Sequence, residues 1–157
     1  MISWYLATLL VLTAFLFMEF VAWFSHKYIM HGFLWILHKD HHIRDGRRVE
    51  WNDAFAVIFA LPAIVFTITG VSAGFDWKFY IGIGITAYGA AYFIFHDVLV
   101  HNRLPFLNKL SNRYLRATIT AHMDHHKPNA MYNYGFLLAP LKYYKAEWAK
   151  SRTVKQE

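Results

Sequence analysis

The sequence predicts an all-α fold, an integral membrane helical bundle of three to four transmembrane helices. Two observations predict it: three apolar runs long enough to cross a bilayer, and a one-sided distribution of Lys and Arg around them. Composition agrees. Hydrophobic residues make up 57% of the 157 residues and charged residues 17%, against roughly 25% charged in an ordinary soluble domain. The four prolines are scattered and no Pro/Gly/Ser-rich linker divides the chain, so residues 1–157 read as a single membrane-bound domain.

The first run covers residues 2–24 and contains one acid, Glu19. At about 1.5 Å per residue it crosses a hydrocarbon core of about 30 Å. It has no basic flank before it and no small-residue cleavage site after it, so it reads as a retained span and not as a secretory signal. The second run covers residues 54–75, with Pro62 inside it, where a bend or a re-entrant segment would be tolerated. The third covers residues 79–95. Its Gly82, Gly84, Gly89, Ala87, Ala90 and Ala91 would let a neighbouring helix approach closely. Asp76-Trp77-Lys78 is left as a tight hairpin between the last two runs. The remainder reads as mostly helical and polar. A weak apolar patch at 132–141 is expected at the interface or against the bundle, and a basic tail at 143–157 is expected to rest on anionic lipid.

A net charge of +6 fits either nucleic-acid binding or the basic flanks of membrane spans. Placement decides between them. With the N-terminus outside, the first run ends inside near His26, the second leaves from Ala54, and the third returns at His96. Fifteen of the sixteen Lys and Arg residues then lie inside, and only Lys78 lies outside. This bias predicts a multi-pass protein of the inner (plasma) membrane whose histidine-bearing face is cytoplasmic, with no nucleic-acid partner.

All ten histidines fall into four boxes: His26-x4-His31, His38-x2-His41-His42, His96-x4-His101 and His122-x2-His125-His126. The second half of the chain repeats the two patterns of the first, down to the aspartate in Asp40-His41-His42 and Asp124-His125-His126. One histidine alone is most often a polar residue near an interface. Ten in a repeated spacing point to ligation. On a helix turning about 100° per residue, positions i, i+3 and i+4 share a face, so each x2 box points one way. An i, i+5 pair is about 140° apart on the same helix. The x4 boxes therefore need a helix end or a π-bulge to converge.

With no cysteine in the chain, thiolate zinc sites and iron–sulfur clusters are excluded. Ten imidazoles are too many for one metal and suit two, with about five ligands each and positions left open for oxygen or water. Neutral imidazole suits iron, zinc and copper. A structural zinc site would close with four ligands, and the His-Glu-x2-His pattern of zinc proteases is absent. Redox chemistry at a two-iron centre accounts best for the count. Glu19, Asp97 and Asp53 are candidates to accept the outer N–H of a ligating ring. Glu19 lies seven residues before His26, on the same face and about two turns deeper. Asp53, with Asn52, serves equally as a helix cap. Asp40 and Asp124 fall on the far side of their boxes and are not expected to bind metal.

The boxes and their order resemble the membrane fatty-acid hydroxylase/sterol desaturase superfamily and, within it, the bacterial β-carotene hydroxylases. The resemblance rests on His31-Gly32 followed by His38-x2-His41-His42, and on Glu50-x-Asn52-Asp53-x-Phe55-Ala56-Val57. It continues through Phe95-His96-Asp97-x2-Val100-His101 and His122-x2-His125-His126 to Gly135-Phe136-x2-Ala139-Pro140. It implies hydroxylation of β-ionone rings at carbon 3, converting β-carotene to zeaxanthin through cryptoxanthin. It also implies two Fe2+ ions, O2 as co-substrate, and electrons from a ferredoxin or an NAD(P)H-linked reductase, with all ten histidines as metal ligands. The carboxylate ligands of soluble di-iron bundles have no counterpart. Two alternatives stand beside it. One is a sterol or fatty-acyl hydroxylase or desaturase with the same boxes. The other is a membrane metal-binding or transport protein, which would show metal flux and no oxygen consumption.

Overall fold

The computed structural model describes residues 2–43, 49–104, 112–128 and 130–153, leaving aside the side chains of 151–153. All regular structure among them is helical. In chain order the elements are α1 (Trp4–Phe24), a π-helical stretch (Ser25–Phe33), α2 (Trp35–His42), α3 (Asp53–Ser72), α4 (Trp77–Tyr92), a second π-helical stretch (Phe93–Val100), α5 (Arg113–His125) and α6 (Leu141–Thr153). They fall into two compact units, Met1–Ala91 and Tyr92–Glu157.

Three helices among the described residues are long and apolar enough to cross a membrane: Trp4–Phe33, Asp53–Ser72 and Trp77–Val100. Only 17% of the most apolar window of each of the first two is buried within the protein. Large side chains such as Leu9, Leu16, Phe17, Val57, Leu61 and Ile68 point outward instead. Apolar surface on this scale needs a lipid solvent.

α1 opens at Ser3, whose hydroxyl accepts the Leu6 N–H at 3.4 Å and satisfies one of the orphan donors of the first turn. Its buried stripe is Ala14, Met18 and Ala22, spaced by four, and it continues into Ser25 and His26. Small residues set the helix contacts in this unit. A Cβ on Gly84 of α4 would meet the Val11 carbonyl oxygen at 2.5 Å, and one on Gly82 would collide with Thr67 of α3. Close approach of this kind replaces the hydrophobic drive that lipid removes. The expectation for the other small residues of this run is corrected. Gly89, Ala87 and Ala90 are exposed, and a Cβ on Gly89 would meet nothing within 4 Å, because the stretch turns them away from α1 and α3.

Pro62 sits inside α3 without ending it. The hairpin lies slightly upstream of Asp76-Trp77-Lys78. Gly74 and Phe75 take positive φ (75° and 61°), the Gly70 carbonyl accepts the Phe75 N–H at 2.8 Å, and Trp77 already opens α4. The Asp76 carboxylate accepts the Lys78 N–H at 2.9 Å, ordinary Asx chemistry at a helix start.

In the second unit, α5 begins at Asn112, an extended residue whose Oδ1 accepts the Leu115 N–H at 2.9 Å. α6 packs on α5 through Tyr143 against Ala117 and Ala121, where two alanines make room for the ring. The Arg116 guanidinium and the Lys150 ammonium bind the buried Glu147 at 2.8 and 2.7 Å. Together they hold its carboxyl below the usual range, Lys150 contributing most. The patch at 132–141 is irregular, not helical, up to Leu141. Tyr134, Phe136 and Leu137 bury into this unit while Tyr132 and Leu138 stay exposed, so the patch is part core and part surface. The basic tail is helical to Thr153, and its last four residues lie outside the described ones.

Candidate metal centre

The x4 boxes are π-helical, and this resolves the spacing that an α-helix would spread over about 140°. In a π-helix the backbone bond runs from i to i+5. The His101 N–H donates to the His96 carbonyl at 3.0 Å, so the hydrogen bond joins the two box residues themselves. The rings of His96 and His101 lie 4.6 Å apart between centroids, and those of His26 and His31 lie 5.0 Å apart. The first stretch ends at Gly32, whose backbone leaves helical geometry (φ −103°, ψ −124°) and lets α2 fold back with the next box.

In the first unit, His26, His31, His38 and His42 bring one ring nitrogen each to within 4.8 Å of the others. His38 is the hub, its Nε2 lying 3.1 Å from His26 Nε2 and 3.2 Å from His42 Nε2. In the second unit, His96, His101 and His122 converge to the same limit, and His126 Nε2 lies 2.9 Å from His122 Nε2. Two nitrogens each about 2.1 Å from one metal, at right angles, stand about 3.0 Å apart. The observed spacings are those of neighbouring ligands on one ion. An all-nitrogen donor set suits iron, zinc or copper.

Six of the ten histidines are buried, His31, His42, His101 and His126 are half-buried, and aromatics pack against the rings. His26, His38, His41 and His125 are at most 2% exposed. Trp35 lies against His31 and His42, Phe55 against His38, Tyr92 stacks on His96 at 4.6 Å, and Phe136 touches both His96 and His122. Contacts of this kind help fix ring orientation.

The outer partners differ in part from the sequence candidates. Asp97 does stand beside His96 (3.6 Å to Nδ1), and it also pairs with Arg103 at 3.2 Å. Glu19 accepts the hydroxyl of the buried Tyr88 at 2.7 Å, a partner 69 residues away. Asp53 accepts the N–H of Glu50, a residue ahead of α3, at 3.0 Å and does not cap the helix. Asn52 stands at the N-cap of α3 but makes no side-chain cap bond. Its Oδ1 instead meets His38 Nδ1 at 2.7 Å. Glu50, missed as a ring partner, accepts from His41 Nδ1 at 2.9 Å. The available signal was its place in Glu50-x-Asn52-Asp53, just after a histidine box, but nothing in the spacing says which ring it would meet. His125 Nδ1 donates to the Tyr132 carbonyl at 2.7 Å. Burial pushes this imidazole below its usual pKa, and the carbonyl bond opposes the shift, which favours the neutral ring that metal binding requires.

The two box aspartates are structural. Asp40 accepts the Trp51 N–H at 2.6 Å, tying α2 to the start of α3. Asp124 binds Lys127 at 2.6 Å and the Tyr143 hydroxyl at 2.8 Å, and these two contacts hold its carboxyl below the usual range.

Helices suited to a membrane and converging imidazoles define a multi-pass membrane protein with histidine clusters able to hold metal. The model for the family described as "Fatty acid hydroxylase" matches residues 11–143, and the chain belongs to that family. It is 40% identical over 140 residues to a protein of Pantoea ananas named beta-carotene hydroxylase, covering 87% of this chain and 79% of that one. It is 39% identical over 137 residues to a beta-carotene hydroxylase of Paracoccus sp. strain PC1, covering 84% and 83%. A chloroplastic beta-carotene 3-hydroxylase of Gentiana lutea is 39% identical over 132 residues, 78% of this chain but 40% of that longer protein. No solved structure matches the chain.

Proposed function

We propose that this protein is a di-iron monooxygenase that hydroxylates carbon 3 of carotenoid β-ionone rings, turning β-carotene into zeaxanthin through cryptoxanthin. The observation that carries the assignment is its 38–41% identity to bacterial proteins named beta-carotene hydroxylase, over most of both chains. The convergent histidines supply the chemistry that such a name requires.

All ten histidines serve as ligands to two iron ions: His26, His31, His38, His41, His42, His96, His101, His122, His125 and His126. The irons supply the activation of O2 that lets an unactivated C–H bond be hydroxylated. The chain does the rest. The imidazoles stay neutral and hold the metals without exchanging protons with substrate. Trp35, Phe55, Tyr92 and Phe136 pack against the ligand rings and hold their orientation. Asp97 steadies His96 and is itself held by Arg103. Glu19, tied to Tyr88, and Asp53, at the head of α3, support the ligand-bearing elements from behind. The carotenoid arrives dissolved in the bilayer, and electrons come from a donor protein, a ferredoxin or an NAD(P)H-linked reductase.

Product analysis tests the assignment. In cells that accumulate β-carotene, expression is expected to yield zeaxanthin with cryptoxanthin as the intermediate. Unchanged β-carotene, together with oxidation of a sterol or acyl chain, would move the protein to another branch of the family. Metal flux without oxygen consumption would make it a transporter.

The charge distribution supports a position in the inner membrane with the N-terminus outside and the histidines at the cytoplasmic face. The chain has no native cysteine, so single cysteines report sidedness cleanly. Asp76→Cys is expected to react with an impermeant thiol reagent added outside, and Lys150→Cys is expected to react only after permeabilisation. Equal labelling of the two would overturn the three-span topology.

A further inference from the structure

The boxes His38-x2-His41-His42 and His122-x2-His125-His126 have one pattern, and their middle rings are equally buried, His41 at 2% exposure and His125 at 0%. Their partners are not equivalent. His41 Nδ1 donates to a carboxylate oxygen of Glu50 at 2.9 Å, whereas His125 Nδ1 donates to the neutral main-chain carbonyl of Tyr132 at 2.7 Å. Carboxylate and carbonyl oxygens only accept. Each bond therefore places the ring proton on Nδ1 and leaves the Nε2 lone pair for a metal. The bonds differ in strength. An ionised acceptor draws the proton harder than a neutral one and makes the opposite nitrogen a richer donor. The Glu50 side chain is 18% exposed, so water screens its charge only in part.

Three hydrogen bonds pin the segment that carries Glu50. The Trp51 N–H donates to Asp40 at 2.6 Å, the Glu50 N–H donates to Asp53 at 3.0 Å, and two residues on, Asn52 Oδ1 meets His38 Nδ1 at 2.7 Å. One three-residue stretch thus offers α2 an anionic acceptor for His41 and a neutral one for His38.

We infer that Glu50 and Asn52 are positioning residues that orient His41 and His38 toward metal and make the two matching boxes electronically unequal, with the Glu50 charge placed directly behind His41. This rests on the di-iron assignment above. The asymmetry lowers the reduction potential of whichever iron takes His41 relative to its neighbour, because added electron density favours the oxidised ion.

The test uses the full chain, purified in detergent from iron-supplemented cells and reloaded with 57Fe. Iron per chain, the midpoint potential and the Mössbauer spectrum are measured on wild type, Glu50→Gln and Asn52→Asp. Glu50→Gln keeps the side-chain shape and an acceptor but loses the charge. It is expected to raise the potential, change one of two iron signals, and weaken metal retention about 10- to 100-fold, the usual effect of losing an outer partner. Asn52→Asp adds a charge behind His38 and is expected to lower the potential. Glu50→Asp is expected to return it toward wild type. Potentials unmoved in both variants, or shifted with the same sign, would overturn the inference. So would metal loss with an unshifted potential, since Glu50 and Asn52 would then be merely structural. Wild-type protein that holds no iron would instead overturn the di-iron assignment.

Discussion

Replacing His38 or His122 by alanine is expected to leave the protein in the membrane, metal-poor and inactive, with turnover down by about a thousandfold or more, equivalent to about 4 kcal/mol in the barrier. These two are the hubs of their clusters. His38 Nε2 lies 3.1 and 3.2 Å from the nitrogens of His26 and His42, and His122 Nε2 lies 2.9 and 3.4 Å from those of His126 and His101. Insertion survives because the three apolar helices, not the histidines, hold the chain in lipid. For His38 the local damage is a cavity and one buried acceptor, the Asn52 amide oxygen, left without its ring partner, a cost of about 1–3 kcal/mol. Metal analysis on membranes, beside product analysis in the same cells, checks both halves of the expectation. Near-normal hydroxylation by either variant would remove that histidine from the ligand set.

The second large effect concerns the oxidant and the metal. Hydroxylation under labelled oxygen gas is expected to mark both ring hydroxyls of zeaxanthin, and labelled water is expected to mark neither. Exchange of iron for zinc is expected to leave a folded, metal-bound protein with no turnover. The same imidazole nitrogens accept zinc, at about 2.0–2.1 Å, but zinc has no redox chemistry. The pair of measurements separates two failures. Label arriving from water would reject oxygenase chemistry, while full activity with zinc would reject a redox role for the metal and leave the histidine cluster standing.

The π-helical boxes show where sequence reading and structure meet. The i, i+5 spacing of His26/His31 and His96/His101 conflicts with an α-helix, and of the two remedies, a helix end or a π-helical turn, the structure uses the second. Glu19 shows the reverse. Its place within a span marked it as a functional acid, yet its partner Tyr88 comes from 69 residues away, and no local period could name it. Among the small residues of the third run, a Cβ at Gly82 or Gly84 would collide with a neighbouring helix and one at Gly89 would meet nothing within 4 Å, although all three look alike in sequence.

The sequence by itself determined the helical membrane class, the three apolar runs long enough to span, the four histidine boxes and their two-fold repeat. These depend on composition and on periodicities within one helix, which a linear chain records directly. Tertiary structure alone decided the partners: Glu50 for His41, Asn52 for His38, the Tyr132 carbonyl for His125, Tyr88 for Glu19. Each of these bonds depends on how far one element is rotated and offset against another. A difference of one residue, about 100° around an α-helix, would exchange one partner for another while leaving every hydrophobic run and every histidine spacing unchanged.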